Sequence, residues 1–473
     1  MQHHDWIVIG GGPAGQKAAL QGAREGRRVL LVDQGRAPGG ECVNRGTIPS
    51  KTLRETARHF AEVRRRSADT LAVEVTPDVQ LAGLMTRLDV VREAHAHTLS
   101  AQMEREGVTF RQARARFTGA KTLLLQPPSG ASEDVSADAV FIATGSRPRK
   151  PADVPIDHEN VLDSDSILSL VYLPRSLVVM GAGVIAIEFA SIFISLGVEV
   201  TVIDRNTLPV GFMDEDLSRG FVRAFEARGG RFLGGRQYTD VAADGLGSVH
   251  VTLEDGEVVK GEKVLCALGR LPNLDRLDVE KAGLTRTERG YLVADAHGHT
   301  SVPGIYAAGD VIGPPALAST SMEQGRRAAR HALGQPVPDE DFGMVPSGVY
   351  TIPEMGSVGL TEAQARETHG EVLVGRASFV ELARGMIQGA EEGFLKIIAD
   401  PTGTKILGCH ALGEGSAELV HLGEMAMLGG LKPEVFVDRT FNFPTMAEAY
   451  RVAVQDLLAK ARTARGSVPR VAA

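Results

Sequence analysis

A short apolar run leads into Gly-x-Gly-x-x-Gly, and an acid stands 23 positions after the first glycine; this chain contains the arrangement twice, the second time with alanine in third place. In WIVIGGGPAG the glycines are Gly10, Gly12 and Gly15, Pro13 suits the first turn of a helix, and the next apolar run, Val29 to Val32, ends in Asp33. In SLVVMGAGVIAIEF the positions are Gly181, Gly183 and Ala186, and Val200 to Ile203 ends in Asp204. One such turn is a weak signal, because glycine-rich loops are common. Two, each between buried-type strands, predict two copies of a strand, tight turn, helix and parallel strand. The first glycine makes the turn, the second lets a pyrophosphate approach the backbone, and the third position admits close helix packing. The helix N-terminus receives the phosphates and the acid accepts ribose hydroxyls. Two dinucleotide sites in an α/β chain are expected.

At 473 residues the chain exceeds one ordinary core, and at about 150 residues per domain about three are expected. Its net charge of −8 argues against nucleic acid as a partner, since phosphate-backbone binding needs a basic surface. Arg64-Arg65-Arg66 reads as a solvated helix face. Three scattered cysteines, Cys42, Cys266 and Cys409, are too few for a disulfide framework or a zinc site. Trp6 to Ile9 starts a strand almost at once, leaving no room for a signal peptide, and a reducing cytoplasm is expected. The apolar stretch Ser176 to Ile203 is interrupted by Gly181, Gly183, Glu188 and Glu199, so strand, turn, helix and strand describe it better than a membrane span.

Between the two units, Pro77 to Glu106 reads as a helix with Thr76 as N-cap and Leu81, Leu84, Met85, Leu88 and Val91 on one face. His95 and His97, two apart, point to different sides and make no metal pair. FIATGSRP, with Thr144 and Gly145, and VLCALGRLPN, with Gly269 and Arg270, read as strand ends running into loops. TSVPGIYAAGDVIG adds a strand ending in Gly309 and Asp310, a carboxylate at the edge where doubly wound sheets bind ligands; on its own it is equally an exposed turn acid. After Pro346 short alternating runs and helices without a glycine fingerprint indicate a different kind of domain.

Taken in order, GGGPAG, GGECVNRGTIPSK, ATG at 143 to 145, GAGVIAIE, ALGRLPN, YAAGD, YTIPEMGSVG and FPTMAE resemble the two-dinucleotide flavoprotein disulfide reductases, such as dihydrolipoamide dehydrogenase and glutathione reductase. The resemblance implies two Rossmann-like dinucleotide-binding domains plus a C-terminal α+β dimerisation domain. It divides the chain into an FAD-binding domain (1–150 and 275–344), an NAD(P)-binding domain (151–274), an interface domain (345–460) that makes a homodimer, and a flexible tail (461–473). It implies FAD on the first unit, with its flavin tail near Asp310, and a nicotinamide nucleotide on the second. Lys51 and Glu188 match the pair beside the flavin, where a cation stabilises the reduced ring; unaided, they are a surface pair of little energy. Cofactor contacts are implied at Gly40, Cys42, Thr47, Thr144, Gly145, Gly269, Arg270 and Gly309, and at Leu317 and Ala318, which open a helix aimed at the flavin.

Two positions depart from the reductases. Thr47 stands where they carry the second, flavin-proximal cysteine, and Phe443 precedes Pro444 where they carry a histidine base. Dithiol exchange needs a second sulfur and a proton acceptor, and neither residue supplies one. Glu448 remains without a base to orient, and Cys42 reads as a small, inert side chain. Cys-x-x-x-x-Thr-Ile-Pro-Ser-Lys, with LDSDSILS, SGVYTIPE and FNFPTMAEAYRVA, is similar to one subgroup in particular, the soluble pyridine nucleotide transhydrogenases. Their activity, hydride transfer between NADPH and NAD+ through FAD without a disulfide, is the expectation. Alternatives are an NAD(P)H dehydrogenase passing electrons to a quinone or another small acceptor, a nucleotide-binding subunit without turnover, and disulfide chemistry through Cys42 with Cys266 or Cys409. Asp204 favours NAD, whereas the neighbouring Arg205 suits a 2′-phosphate, an adjacency compatible with both nucleotides.

Overall fold

The computed structural model describes residues 1–69, 81–337, 344–390 and 392–464. Its first sheet grows from the first glycine unit. Gln2–Ile9 pairs in parallel with Val29–Asp33 on one side and Glu133–Ile142 on the other. Thr109–Gln112 extends the sheet beyond Val29–Asp33, and Ile305–Ala307 adds a parallel strand against Glu133–Ile142. The antiparallel ribbon Arg114–Gly119 and Thr122–Gln126 completes it. Ile7, Val8, Leu30 and Leu31 are all buried, because helices cover one face of the sheet, over Val8 and Leu31, and the antiparallel ribbon with Leu274, Leu277 and Leu292 covers the other, over Ile7 and Leu30. Helices Pro13–Arg24 and Ala318–Ala332 share one face, where the Phe141 ring meets Trp6 at a tilt, 4.6 Å between centroids, and stacks on Tyr306 at 5.0 Å.

The second unit repeats the plan. Ser176–Met180, Glu199–Asp204 and Arg231–Gly234 run parallel, with Lys263–Cys266 and Val161–Leu162 on the other side. The stretch from Ser176 to Ile203 is therefore strand, helix Val184–Ser195 and strand. That helix is apolar nearly all round because Ala186 through Ser195 are all buried. A two-stranded ribbon, Ser146–Pro148 with Arg270–Pro272, links the loops leaving the two units.

The last sheet is wholly antiparallel, in the order Ser347–Val349, Met355–Gly359, Ile406–Leu412, Phe394–Ala399, Leu373–Ser378. Helices Ser416–Leu428 and Glu448–Ala464 pack on it around Tyr450, Leu395 and Val420. The final helix continues to Ala464, so the first four residues of the expected tail are helical; 465–473 lie outside the described residues. The helix expected from Pro77 is described from Leu81 to Arg105, with Thr76 and Pro77 outside the described residues. His95 and His97 are both exposed on it, and Arg64 is exposed on the helix Thr47–Asp69. Among the described residues no helix is long and apolar enough to cross a membrane.

Candidate active site

Both glycine turns open into one cavity of about 1110 Å³. Gly10 and Gly181 carry φ of +106° and +102°, a backbone region that side chains disfavour, and each turn bends its chain from strand into helix. A Cβ at Gly15 would lie 1.9 Å from the Gly10 carbonyl oxygen, so the helix sits against the turn only because that position is bare. At Gly12 the nearest atom to a Cβ is Gly40 Cα at 3.9 Å, and at Gly183 nothing lies within 4 Å. These second glycines thus leave space for a ligand's phosphates.

Each acid braces its own turn. Asp33 accepts from the Gly11 N–H at 2.5 Å and the Gly35 N–H at 2.7 Å. Asp204 accepts from the Ala182 N–H at 2.7 Å and the Asn206 N–H at 2.6 Å. Both carboxylates also line the cavity, so bracing the turn leaves them within reach of the ribose hydroxyls expected from the spacing.

At the junction of the three domains, Lys51 Nζ lies 2.6 Å from Glu188 Oε2. Glu188 is 3% exposed, and its other oxygen accepts from the Tyr350 N–H at 2.9 Å. The Lys51 ammonium also stands 5.0 Å from the centre of the Tyr350 ring. One carboxylate so joins the helix that follows Cys42, the helix of the second unit and the first strand of the last sheet.

Asp310 accepts from the Ser146 hydroxyl at 2.5 Å, and Ser146 in turn accepts from Arg270 Nε at 2.8 Å. Arg45 stands 3.7 Å from Glu41 and 3.5 Å from Asp165. Burial raises the pKa of both acids; Asp165 adds to the effect on Glu41, and Asp163 to that on Asp165. Cys42 is a free thiol pushed up by burial, with a countervailing hydrogen bond from Thr47 and the charge of Lys51. Cys266 and Cys409 are also free, the latter against the Tyr450 hydroxyl at 3.1 Å. Phe443 is 71% exposed and outside the cavity wall.

Of the residues singled out from sequence, Gly10, Gly12, Asp33, Gly40, Cys42, Thr47, Lys51, Thr144, Gly145, Gly181, Gly183, Glu188, Asp204, Arg205, Gly269, Arg270, Gly309, Asp310, Leu317 and Ala318 all line this cavity. Gly15 and Ala186 lie behind it as packing positions. Sequence reasoning passed over Ser146, Tyr350, Glu41, Arg45 and Asp165; Ser146 follows ATG directly and Tyr350 sits in a quoted motif, so both carried a signal. The wall suits a flavin dinucleotide. Thr144 Oγ1 and Glu41 Oε2 are buried there with no hydrogen-bond partner in the protein, and a ligand rich in hydroxyl and amide groups supplies partners.

Comparison with known proteins agrees with this geometry. Residues 4–325 match the family model of the pyridine nucleotide-disulphide oxidoreductases, and 345–454 that of their dimerisation domain. The chain belongs to this family. The oxidoreductase is 40% identical to a soluble pyridine nucleotide transhydrogenase of Mycobacterium bovis, covering 98% of both chains. It is 38% identical to one from Pseudomonas putida, covering 96% of this chain and 98% of that one. Among solved structures, the oxidoreductase superposes with a TM-score of 0.86 on the HOCl-induced flavoprotein disulfide reductase RclA from Escherichia coli, at 26% identity over 96% of this chain and 99% of that one.

Proposed function

We propose that this oxidoreductase is an FAD-dependent soluble transhydrogenase that moves hydride between NADPH and NAD+ as a homodimer. The carrying observation is that both glycine turns share one cavity in whose wall Thr47, and not a second cysteine, stands beside Cys42; the other lining cysteine, Cys266, is buried on a strand of the second unit. Bound FAD supplies a two-electron carrier that takes a hydride from one nicotinamide and returns it to another. Gly10, Gly12 and Gly40 would admit its phosphates, Thr144, Gly145, Gly309 and Asp310 would offer it polar contacts, and the helix after Leu317 would add positive partial charge from its N-terminus. Gly181, Gly183, Gly269 and Arg270 receive the nicotinamide nucleotide, with Asp204 and Arg205 at its adenosine end.

Lys51, fixed by Glu188, presents positive charge where negative charge develops, and orientation supplies the rest of the catalysis. Exchange of hydride between two nicotinamides consumes no net proton, so Thr47 and Phe443 in place of a sulfur and a base cost this reaction nothing. The division into a flavin domain at 1–150 and 275–344, a nucleotide domain at 151–274 and an interface domain at 345–460 belongs to the same reading. It is supported by the first sheet's recruitment of Ile305–Ala307 and the self-contained antiparallel sheet after Pro346. A cytoplasmic location fits three free cysteines.

The test is anaerobic: one equivalent of NADPH is added to the purified protein, then NAD+, while flavin and nucleotide absorbance are followed. Bleaching followed by recovery with stoichiometric NADH is expected. Recovery only with a quinone or oxygen would overturn the reading in favour of an NAD(P)H dehydrogenase.

A further inference from the structure

A buried lysine outside the cavity is left unused by this chemistry. Lys396, on the strand Phe394–Ala399, is 1% exposed, and its ammonium lies 2.7 Å from Asp214, 2.6 Å from Asp216 and 2.7 Å from Glu362. Its three donors are thereby matched to three carboxylates. Asp214 is itself 1% exposed; one oxygen accepts from the Asp216 N–H, capping the helix Glu215–Ala227, and the other accepts from the Glu362 N–H at 2.9 Å. The cluster therefore fixes a helix N-terminus of the second unit to the sheet and a helix of the last domain.

Asp214 also closes the loop that Asp204 opens. Within that loop the Val210 N–H donates to the carbonyl of Ala182, in the glycine turn, at 3.0 Å, and the Ser218 hydroxyl donates to the Pro209 carbonyl at 2.8 Å. The Asn206 carbonyl accepts from the Gly235 N–H at 3.0 Å. The loop thus hangs between the glycine turn and the helix that Lys396 holds, and it presents Arg205 and Asn206 to the cavity. A buried ion cluster adds little net stability over an apolar replacement, but it fixes one arrangement of the elements it joins.

We propose that Lys396 is a positioning residue for nucleotide recognition. By fixing Asp214 it sets the loop that offers Arg205 to the adenosine end of a nicotinamide nucleotide, so affinity in the second unit depends on a side chain of the last domain. The proposal rests on the reading that the second glycine turn holds that nucleotide.

The experiment compares Lys396→Met, Lys396→Arg and the milder Glu362→Gln with the wild-type holoenzyme. It measures dissociation constants for NAD+ and NADP+ by calorimetry, alongside flavin content, melting temperature, kcat and KM. The expected result for Lys396→Met is full flavin content, an unchanged kcat, and Kd and KM raised about tenfold, more for NADP+ than for NAD+. Lys396→Arg restores both constants. If Lys396→Met does not fold, Glu362→Gln carries the test with a smaller shift in the same direction. A fall in melting temperature with Kd unchanged in the folded variants would overturn the proposal, because it assigns the cluster to stability alone. A Gly183→Val control separates the two ideas: nucleotide affinity unaffected by it refutes the underlying placement instead.

Discussion

Glu188 answers to two partners at once, and that arrangement predicts how the site fails. Glutamine at this position keeps an oxygen for the Tyr350 N–H but loses the charge that holds Lys51. Glu188→Gln should fold and bind nucleotide normally, while its flavin is reduced roughly 10- to 100-fold more slowly in stopped-flow mixing with NADPH. An unchanged rate would leave the pair a purely structural tie. Thr47 poses the complementary question. Thr47→Cys should create a pair of thiols that oxidation removes together in a thiol titration. Even so, the variant should not reduce lipoamide above the wild-type background, since Phe443 takes no proton. At this scale much was legible: Lys51 and Glu188 were paired from sequence although 137 positions apart. Tyr350 was missed, although its motif was quoted, because its backbone N–H to Glu188 and its ring beside Lys51 meet their partners only through the packing of segments distant in sequence. Arg45 and Asp165 were missed because their contact depends on how the second unit docks against the short helix after Gly39.

The two turns look interchangeable as elements, yet their glycines face different constraints. Gly15→Ala drives a methyl into the Gly10 carbonyl and should cost about 1–3 kcal/mol in denaturant unfolding, with loss of flavin. Gly183→Ala meets nothing, so its stability should stay within about 0.5 kcal/mol of wild type, while nucleotide affinity falls because the methyl occupies the approach of the phosphates. The equal spacing of the two units made strands, helices and turns readable, because period and turn chemistry are local. The bracing of each turn by its own acid was not readable; the same spacing fits an acid that reaches only a ligand. The third sheet was legible only as a change of pattern, since antiparallel order depends on pairings between distant segments.

Across the molecule, the helix Ser416–Leu428 leaves Leu422, Met425 and Leu428 exposed by 41, 58 and 60%, on the domain that the family uses for dimerisation. Met425→Glu should shift the sedimentation coefficient toward that of a monomer. The junction between the nucleotide unit and the last domain also predicts an acid response in two stages. His410 is buried between Ser357 and the Leu360 carbonyl, and burial holds its pKa below the ordinary value. The unfolded chain therefore binds more protons as pH falls below about 6.5, and stability declines from there. Burial would raise Asp216 and Glu362, but bonds from Lys396 pull both below the usual range; their contribution persists above about 4 and is lost on further acidification. Urea midpoints against pH should show both stages, and His410→Gln should diminish only the first, the remainder belonging to His4, whose pKa burial also lowers. Ile305–Ala307 is laid against Glu133–Ile142 only after the entire second unit has been threaded between them. During synthesis the amino-terminal half must therefore wait, with one flank of its sheet open, until a complete neighbouring domain has emerged, and the second unit is placed to fold first.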